Sequence, residues 1–496
     1  MEVIMYIQVW SASPQGIHAH PIGVQVSLSK GVPVFNIIGR PDHVVRESKM
    51  RIMSALKSIE IRVHSKKVIV NLTPSHLSKR GAQLDLAVAA AIMALTDGKL
   101  TIGPEDAYIG ELALDGTVCA VQGIYNMVEA LMEIGVKRFF IPREQISVSR
   151  YFPGAEIYGI SQIGELYHRM EAASPLTLES KSNVASDFGM DYGDIAGHQL
   201  HKRAMMAAAA AQHHVLLMGP PGTGKSLLAR RLLTILPTLD ETSMREVIKI
   251  HGQLTTDLEA VQVSAPFRMP QTTLKRGDLS GSASGRLGEL TLANHGVLYL
   301  EELNEFQKST LEDLKRPLDE GYVEVGTALQ RMRLPARFTL VATVNPCPCG
   351  YFGTDQPCTC QAQAVQRHQL KFRGPLGDRF DIRLMTHIYM EEDIRSKDPL
   401  DSATMRHLVE LASERQRLRY KGEALKNSNA PMDQIFETFE SEAIRTQYLA
   451  RFKEQGFSYR DSTQVIRLAR TLADLDGDDF IHAKHLSEGM VLHGEF

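Results

Sequence analysis

A glycine-rich turn between an apolar strand and a helix is the first segment whose residue types and spacing could do chemistry. The run VLLMGPPGTGKSLLARRLL, at 215–233, contains the spacing G-x-x-x-x-G-K-S. Such glycines let backbone N–H groups curl around phosphates, while the lysine reaches the β and γ phosphates and the serine ligates Mg²⁺. The sequence therefore predicts an ATP and Mg²⁺ site formed by Gly219, Pro220, Pro221, Gly222, Thr223, Gly224, Lys225, Ser226 and Leu227.

A second apolar strand ends in acids, as the other half of such a site requires. In GVLYLEELNEF, at 296–306, Glu301 falls where an Asp usually holds the magnesium-bound water, and Glu302 falls where a Glu polarises the attacking water. The alternative is a strand running into a helix whose acidic first turn favours the helix dipole. With the phosphate loop upstream, the catalytic interpretation is preferred. The extra methylene at Glu301 predicts altered metal geometry and slow turnover.

Two further polar residues follow in later segments. The apolar strand RFTLVATVN ends in Asn345, whose side chain at a strand tip can orient the attacking water, and GPLGDRFDI, at 374–382, supplies Arg379. Together with the phosphate loop and the acidic strand, this order of elements resembles the AAA+ ATPases. In that superfamily an arginine from one subunit completes the neighbour's site in a ring, usually a hexamer. Arg379 is the candidate for this arginine finger, and a surface salt bridge is its alternative.

Another arginine begins a helix near the C-terminus. The segment FSYRDSTQVIRLARTLADLDG, at 457–477, has Ser458 in an N-cap position and apolar residues at helical spacing. In AAA+ lids an arginine at this place contacts the γ-phosphate from within its own subunit. Arg460 is the matching residue, and a solvated arginine is the alternative.

Composition limits the class of protein. The chain has 496 residues, of which 43% are hydrophobic and 23% charged, a balance that suits two to four folded domains. The sequence has neither a long uninterrupted apolar stretch nor a basic-then-apolar leader, which predicts a cytoplasmic protein without a membrane partner. The net charge of −3 provides no global basic field for nucleic acid, although a few loops can carry such a contact.

Four segments are expected to position these residues in a multidomain α/β protein. An N-terminal α/β domain is predicted at 1–170, a polar linker at 171–190, an AAA+ P-loop NTPase α/β core at 191–385 and a helical lid at 386–496.

The N-terminal domain resembles the proteolytic domain of Lon peptidases in GELALDGTVCAVQGI, 110–124, and EALMEIGVKRFFIP, 129–142. Those enzymes use a Ser–Lys dyad, and the matching positions here are Gln83 and Tyr125. Gln cannot be the nucleophile, and Tyr does not replace a desolvated lysine base. The resemblance therefore implies a Lon-like fold without peptidase chemistry, used for assembly or partner binding. An unrelated α/β domain is the alternative.

Four of the five cysteines lie in the run VNPCPCGYFGTDQPCTC, at 344–360. In a reducing compartment, clustered cysteines are typical of metal ligands or catalytic groups rather than of disulfides. Two C-x-C pairs can close a tetrahedral four-thiolate site for a structural Zn²⁺. Reduced thiols without metal and an iron–sulfur cluster are the alternatives. The candidate ligands are Cys347, Cys349, Cys358 and Cys360.

Nearly the whole chain resembles the ComM/YifB family of magnesium-chelatase-like proteins. The resemblance rests on PDHVVRESKMRIMSAL, FRMPQTTL, GVLYLEELNEF, LKRPLDEGYV, PARFTLVATVNPCPCGY and SYRDSTQVIRLARTLADLDG. It implies a homohexameric, ATP-dependent DNA helicase that drives branch migration on single-stranded and branched DNA during natural transformation. Recombination proteins are further candidate partners.

Two segments carry cations suited to DNA phosphates. The insert APFRMPQTTLKRGDLSGSASGRLGEL is rich in Gly, Ser, Thr and basic residues, and GYVEVGTALQRMRLP, at 321–335, predicts two short strands around a turn. Six copies in a ring would concentrate these charges, although each residue taken alone is more simply explained as solvated surface. The candidate phosphate ligands are Arg268, Lys275, Arg276, Arg286, Arg331 and Arg333.

Two other classes of motor remain open. A magnesium-chelatase-like ATPase would drive metal insertion into a tetrapyrrole, but such subunits generally lack a fused front domain and a cysteine block. A protein-remodelling AAA+ ATPase would favour an aromatic-hydrophobic pore loop, which neither candidate loop clearly has. Salt-sensitive, DNA-stimulated ATP hydrolysis would separate the DNA motor from both.

Overall fold

The computed structural model describes residues 5–61, 63, 66–168, 189–259, 261, 264–282, 285–327, 330–387, 400–422 and 425–494. The chain divides into two compact units, Met1–Ser180 with Met244–Val263, and Lys181–Ser243 with Ser264–Phe496. The predicted linker lies outside the described residues except for its last two. Residues 244–263 were expected in the ATPase core, and they pack within the first unit instead.

The first unit is built on a mixed sheet and a short ribbon. Its strands are β1 (Met5–Gln15), β2 (His18–Lys30), β3 (Val34–Ile38), β4 (Lys66–Thr73), β5 (Asp106–Tyr108), β6 (Glu111–Leu112), β7 (Val118–Cys119), β8 (Arg138–Pro142) and β9 (Glu156–Ile160). The sheet order is β3-β4-β2-β1-β5-β8-β9, while β6 and β7 form the ribbon. The long pair β1 and β2 is antiparallel, and β5, β8 and β9 run parallel. The strands predicted at 68–74 and 138–142 are confirmed as β4 and β8.

Helices cover this sheet. They are His43–Ser58, Asp85–Asp97 and Ile124–Glu133, with 3-10 segments at Arg143–Tyr151 and Ile163–Tyr167. The carboxylate of Asp42 begins the first helix by accepting a hydrogen bond from the backbone N of Val45 at 2.8 Å. The second helix is rich in Ala, Leu, Val and Ile and is buried along most of its length, so it forms the centre of the core.

A later part of the chain completes the first unit. It begins in the helix Glu241–His251, and its residues Ile248 and Leu258 belong to the same apolar core as Tyr125. The backbone N of Gly123 donates to the carbonyl oxygen of Gly252 at 3.1 Å. Packing between residues so distant in sequence explains why helical pattern alone does not assign this segment to the unit it completes.

The second unit contains a parallel sheet and a hairpin. Its strands are β10 (Val215–Met218), β11 (Phe267–Arg268), β12 (Val297–Leu300), β13 (Tyr322–Thr327), β14 (Gln330–Pro335), β15 (Thr339–Val344) and β16 (Ile382–Met385). The sheet order is β11-β12-β15-β10-β16, and all four pairings are parallel. β13 and β14 pair in antiparallel fashion, which confirms the predicted hairpin. Because carboxyl ends of parallel strands meet at one edge, the segments that follow β10, β12 and β15 lie together.

Short helices connect these strands. They are Gln199–Ala211, Lys225–Arg231, Arg276–Ser280, Glu289–Leu292, Lys308–Glu312, Lys315–Glu320 and Ala362–Gln369, with 3-10 turns at Tyr192–Asp194, Leu232–Ile235, Leu303–Glu305 and Gly377–Arg379. The core strands β10, β12 and β15 are buried at every residue, as expected of a parallel sheet covered on both faces.

The described residues after 400 are helical, as predicted. The helices are Ser402–Arg419, Met432–Phe436, Glu442–Glu454, Tyr459–Asp476 and Ala483–His493. Ser458 caps the fourth of them in a reciprocal capping box with Asp461, which confirms the predicted N-cap. Within the described part of the chain, no helix has the length and apolar character needed to cross a bilayer.

Candidate active site

The phosphate loop joins β10 to the helix Lys225–Arg231, as predicted. Gly222 and Gly224 have φ angles of 80° and 81°, a left-handed conformation that other residues rarely adopt. A Cβ atom on Gly219 would lie 2.2 Å from Oγ1 of Thr386, so this position also requires glycine. These residues let the chain curl at the N-terminus of a helix, which is the arrangement that binds phosphate.

Lys225 lies inside this loop, with 9% of its surface exposed. Its Nζ donates hydrogen bonds to the carbonyl oxygens of Gly219 and Pro220, each at 2.7 Å. Burial lowers the pKa of Lys225 to about 8, opposed by the nearby carboxylate of Glu302. The ammonium group is therefore held at the centre of the loop, where the phosphates of ATP would become its partners.

Ser226 and Glu301 come from different elements and meet directly. Oγ of Ser226 donates to Oε1 of Glu301 at 2.5 Å, and Nη2 of Arg230 lies 3.2 Å from Oε2. Burial pushes the pKa of Glu301 upwards, but the hydrogen bonds from Ser226 and Arg230 hold it below its ordinary value. The carboxylate is therefore charged at neutral pH beside a hydroxyl, and these two oxygen donors fit a Mg²⁺ ion.

Glu302 follows with an unusual backbone. Its φ is 54°, the left-handed region, and its backbone N donates to Oγ1 of Thr343 at 3.2 Å. Thr343 lies on the neighbouring strand β15 and is buried. A left-handed glutamate is strained, and such strain persists only where surrounding contacts fix the chain. Thr343 was missed in the sequence, since a threonine inside a strand is typical of ordinary β-structure.

One cavity of about 330 Å³ brings the predicted residues together. Its size is in the range of small-ligand sites. The phosphate loop, the two acids after β12 and Asn345 after β15 all contribute, as the parallel topology requires. The lining residues are Pro221, Gly222, Thr223, Gly224, Lys225, Ser226, Leu227, Glu301, Glu302, Thr343, Val344 and Asn345.

The two predicted arginines lie elsewhere in this unit. Neither Arg379 nor Arg460 lines the cavity. Instead, Nε of Arg379 donates to Oδ1 of Asp319 at 3.1 Å, and Nη2 of Arg460 lies 3.5 Å from the same oxygen. In this conformation, Arg460 does not reach the cavity of its own subunit, where it was expected.

The four clustered cysteines converge on one point. Sγ of Cys347 lies 3.3 Å from Sγ of Cys349 and 3.7 Å from Sγ of Cys358, and all four sulfurs, including that of Cys360, lie within 4.8 Å of one another. Around a tetrahedral zinc ion, with Zn–S distances of about 2.3 Å, sulfur atoms are about 3.8 Å apart. All are free thiols. Their separation fits a single tetrahedral ion.

Backbone groups support these sulfurs. The N–H of Phe352 donates to Sγ of Cys347, and that of Cys349 donates to Sγ of Cys360, both at 3.3 Å. Backbone hydrogen bonds, that of Tyr351 foremost, lower the pKa of Cys349. For Cys358 and Cys360 a backbone hydrogen bond also lowers the pKa, but desolvation and the neighbouring thiols outweigh it and raise the pKa above its ordinary value. A thiolate is the form that ligates a metal, so Cys349 is the thiol of these three that is most readily ionised for one.

The cysteine loop packs on the phosphate loop. A Cβ atom on Gly350, whose φ is 88°, would lie 2.6 Å from Cδ of Pro221. At the other end of the loop, the ring Nε2 of His368 lies 2.9 Å from the carbonyl oxygen of Asn345. The segment that carries the cysteines therefore contacts two residues that line the cavity, Pro221 and Asn345.

The first set of candidate DNA cations is partly engaged in ion pairs. Arg268 is half-buried and makes two hydrogen bonds to Glu289, at 2.6 and 2.8 Å. Arg276 is exposed and binds Asp313 in the same way, at 2.6 and 2.8 Å. Lys275 is exposed beside it. Arg268 thus has a structural contact that weakens its assignment as a phosphate ligand, whereas Arg276 and Lys275 remain at the surface.

The remaining cations are highly exposed. Nη1 of Arg286 lies 3.0 Å from Oδ1 of Asp278. On the hairpin, Arg331 and Arg333 share Glu324, at 4.0 and 3.1 Å. Exposed pairs of this kind are weak, so a phosphate can compete for the arginines.

The positions that match the Ser–Lys dyad lie inside the first unit. Gln83 is buried, and Tyr125 packs edge to face with Tyr151 at a centroid distance of 5.6 Å. Burial raises the pKa of Tyr125. The buried ammonium of Lys79 donates to the carbonyl oxygen of Leu77 at 3.1 Å. Gln83, Tyr125 and Lys79 therefore have the burial and contacts of residues in a protein core.

Three family models match successive parts of the chain. The model described as "Subunit ChlI of Mg-chelatase" matches residues 24–145. "Magnesium chelatase, subunit ChlI" matches 191–394, and "Magnesium chelatase, subunit ChlI C-terminal" matches 400–493. The second of these contains the whole cavity and the cysteine cluster.

Individual proteins match over nearly the full length. Competence protein ComM of Haemophilus influenzae is 30% identical over 497 residues, which cover 97% of this chain and 96% of that protein. Uncharacterized protein YifB of Escherichia coli is 31% identical over 492 residues, which cover 96% and 94%. An Archaeal Lon protease of Archaeoglobus fulgidus is 24% identical over 154 residues, 30% of this chain and 25% of that protein.

Proposed function

The chain belongs to the ComM/YifB family of magnesium-chelatase-like AAA+ ATPases, and from this premise we propose that it is a DNA motor. It assembles as a homohexamer, hydrolyses ATP and uses the energy to move branch points of recombination intermediates. Its substrates are single-stranded and branched DNA, and its setting is natural transformation. The convergence of the phosphate loop, both acids and Asn345 on one cavity carries the ATPase part. The name of the Haemophilus relative, a competence protein, supports the DNA part.

The roles in hydrolysis follow from the cavity. The ammonium group of Lys225 lies where it would contact the β and γ phosphates of ATP. Glu302 accepts the proton of the attacking water, which Asn345 orients from the neighbouring strand tip. Ser226 and Glu301 would hold Mg²⁺. When bound, this ion would neutralise part of the negative charge of the phosphates.

The hairpin is the proposed DNA contact. Arg331 and Arg333 expose 69% and 68% of their side chains, and both pair with Glu324. The guanidinium of Arg333 also lies 4.7 Å from the ring centroid of Tyr322. This cation–π contact restricts the side chain of Arg333. Six hairpins in a ring would present twelve such arginines to the phosphate backbone, so the net charge of −3 does not oppose DNA binding.

The cysteine cluster is proposed to hold a structural Zn²⁺. The four sulfurs satisfy a closed tetrahedral site and leave no position for substrate. The first unit is proposed to have a Lon-like fold that serves assembly or partner binding. The packing of Gln83 and Tyr125 in the core supports the absence of peptidase chemistry there. The C-terminal helices form the lid of the ATPase.

The test is ATP hydrolysis with and without single-stranded and forked DNA, at low and raised salt. We expect DNA to stimulate hydrolysis, salt to reduce the stimulation, and Glu302→Gln to abolish it. Replacing Arg331 and Arg333 by Gln should weaken DNA binding by at least about tenfold and reduce the salt slope by about 0.7–0.9 for each phosphate contact that the ring loses. The matched control is Arg417→Gln, an exposed arginine paired with Glu414 on a C-terminal helix, which should change neither. Rapid ATP hydrolysis at a rate that DNA does not change would contradict the proposal.

A further inference from the structure

Two arginines and one carboxylate meet at the surface of the second unit. Asp319 lies near the end of the helix Lys315–Glu320, Arg379 in the 3-10 turn Gly377–Arg379, and Arg460 in the first turn of the helix Tyr459–Asp476. Both Nε and Nη2 of Arg379 donate to the carboxylate of Asp319, a two-point pairing, and Nη2 of Arg460 approaches Oδ1 at 3.5 Å. A single carboxylate therefore serves two guanidinium groups.

Arg379 is turned into its own chain. Its side chain is only 12% exposed, and Nη1 donates to the carbonyl oxygen of Pro375. Arg460, by contrast, is 45% exposed and makes one long contact with Asp319. Three of the five N–H donors of Arg379 are engaged in this way, so an outside anion must displace Asp319 to gain the same two-point pairing.

The pair is held together by more than Asp319. Nε2 of the buried Gln464, on the helix that begins beside Arg460, donates to the carbonyl oxygen of Asp378 at 3.1 Å. This bond ties the turn that carries Arg379 to the helix that carries Arg460. The two arginines therefore form one positioned group, with Asp319 as its present anion.

The cavity lacks what this group would supply. Of the described residues that line it, Lys225 is the one cation, and two carboxylates face the same space. Mg²⁺ at Ser226 and Glu301 would offset part of the phosphate charge, but charge developing in phosphoryl transfer is usually met by an arginine as well. No arginine is among the described residues that line the cavity, while two arginines of the same copy are bound to a carboxylate elsewhere.

We propose that Asp319 is a positioning residue that acts as an internal stand-in for phosphate. It keeps Arg379 and Arg460 aligned as a two-arginine receptor in an isolated copy. The phosphate of ATP held by a second copy of the chain then replaces the carboxylate, one oxyanion exchanging for another with no covalent step. Breaking the pairing with Asp319 therefore costs free energy during assembly and makes the assembly weaker. This inference rests on the proposed homohexamer and on the sequence prediction that Arg379 is its arginine finger.

The experiment measures ATP-dependent assembly against protein concentration by sedimentation, in a Glu302→Gln background that retains ATP. We expect Asp319→Asn to lower the concentration for half-assembly about 3- to 10-fold, since an exposed charge-assisted pair no longer competes. Glu320→Gln is the matched control, because this neighbouring carboxylate pairs with Arg316 instead.

If Asp319 had only a structural role, Asp319→Asn would weaken assembly. Stronger assembly therefore supports the competing role of this carboxylate, and weaker assembly contradicts it. Adding Arg379→Gln to Asp319→Asn should remove the gain. Unchanged or weaker assembly in Asp319→Asn, or no ATP-dependent assembly in the unsubstituted chain, would overturn the inference. Should the asparagine variant fail to fold, Asp319→Ser answers the same question. Failure of the DNA motor would be seen separately, as hydrolysis indifferent to DNA with the assembly result intact.

Discussion

The hydroxyl of Ser226 lies 2.5 Å from Oε1 of Glu301, although 75 residues separate them. An aspartate usually occupies this position, and the glutamate has one more methylene. Its second carboxylate oxygen, Oε2, lies 3.2 Å from Nη2 of Arg230. The carboxylate therefore contacts a hydroxyl with one oxygen and a guanidinium with the other.

Shortening Glu301 should weaken the metal site. In Glu301→Asp the carboxylate retracts by about 1.5 Å and cannot reach Ser226 and Arg230 together. We expect the Mg²⁺ concentration for half-maximal hydrolysis to rise about 3- to 10-fold, with kcat falling less than tenfold. Glu301→Ala should lower kcat more than a hundredfold. Steady-state kinetics over a Mg²⁺ titration measures both. Faster hydrolysis by Glu301→Asp at unchanged Mg²⁺ dependence would contradict this expectation and would instead support the slow turnover that the sequence predicts for the glutamate.

Thr343 should matter for hydrolysis and not for nucleotide binding. Thr343→Val keeps the shape of the strand but removes the oxygen that accepts the backbone N–H of Glu302. We expect kcat to fall about tenfold as the strained Glu302 loses its position, and the free energy of unfolding to fall by about 1–2 kcal/mol. Thr339→Val is the control, since Thr339 lies on the same strand with the same 2% exposure and does not line the cavity. Equal kinetic effects of both variants would contradict the assignment.

The parallel sheet made much of the site predictable. Apolar strands followed by Ser226, Glu301 and Asn345 must deliver those residues to one edge, and the structure places them there. Thr343 was not predictable, because its side chain acts through the backbone N–H of Glu302, in the turn that follows another strand. The pairing of Asp319 with Arg460 spans 141 residues and leaves no periodic signal.

Local pattern also does not reveal partners that are remote in sequence. Arg268 has the charge of a phosphate ligand, but Glu289, 21 residues later, binds two of its three guanidinium nitrogens, Nε and Nη2. Residues 244–263 have an ordinary helical pattern that does not reveal which core they complete. In each case tertiary packing, rather than propensity, decides the outcome.

ATP affinity should fall as the pH rises through about 8. Burial lowers the pKa of Lys225 to about 8 in the nucleotide-free protein, so the ammonium form is lost above that value. Phosphate binds and stabilises the charged form, which means that ATP binding takes up a proton in this range. We expect the Kd of a fluorescent ATP analogue to rise several-fold between pH 7 and pH 9. Calorimetry in buffers of different ionisation enthalpy measures the proton uptake directly, and a flat Kd with no proton uptake would contradict the prediction.

Metal removal should loosen the nucleotide site as well as the cysteine loop. Zn²⁺ bound to the four thiolates would fix the loop that packs through Gly350 on Pro221, so its loss should reach the phosphate loop. We expect one equivalent of zinc per chain by elemental analysis. Cys358→Ser should lose it, lower the Tm by roughly 4–8 °C and raise the KM for ATP about 3- to 10-fold. Cys119→Ser, a lone cysteine in the first unit, should change none of these. Purified protein without stoichiometric metal, or a metal-free variant with unchanged KM, would remove the link between the cluster and ATP binding.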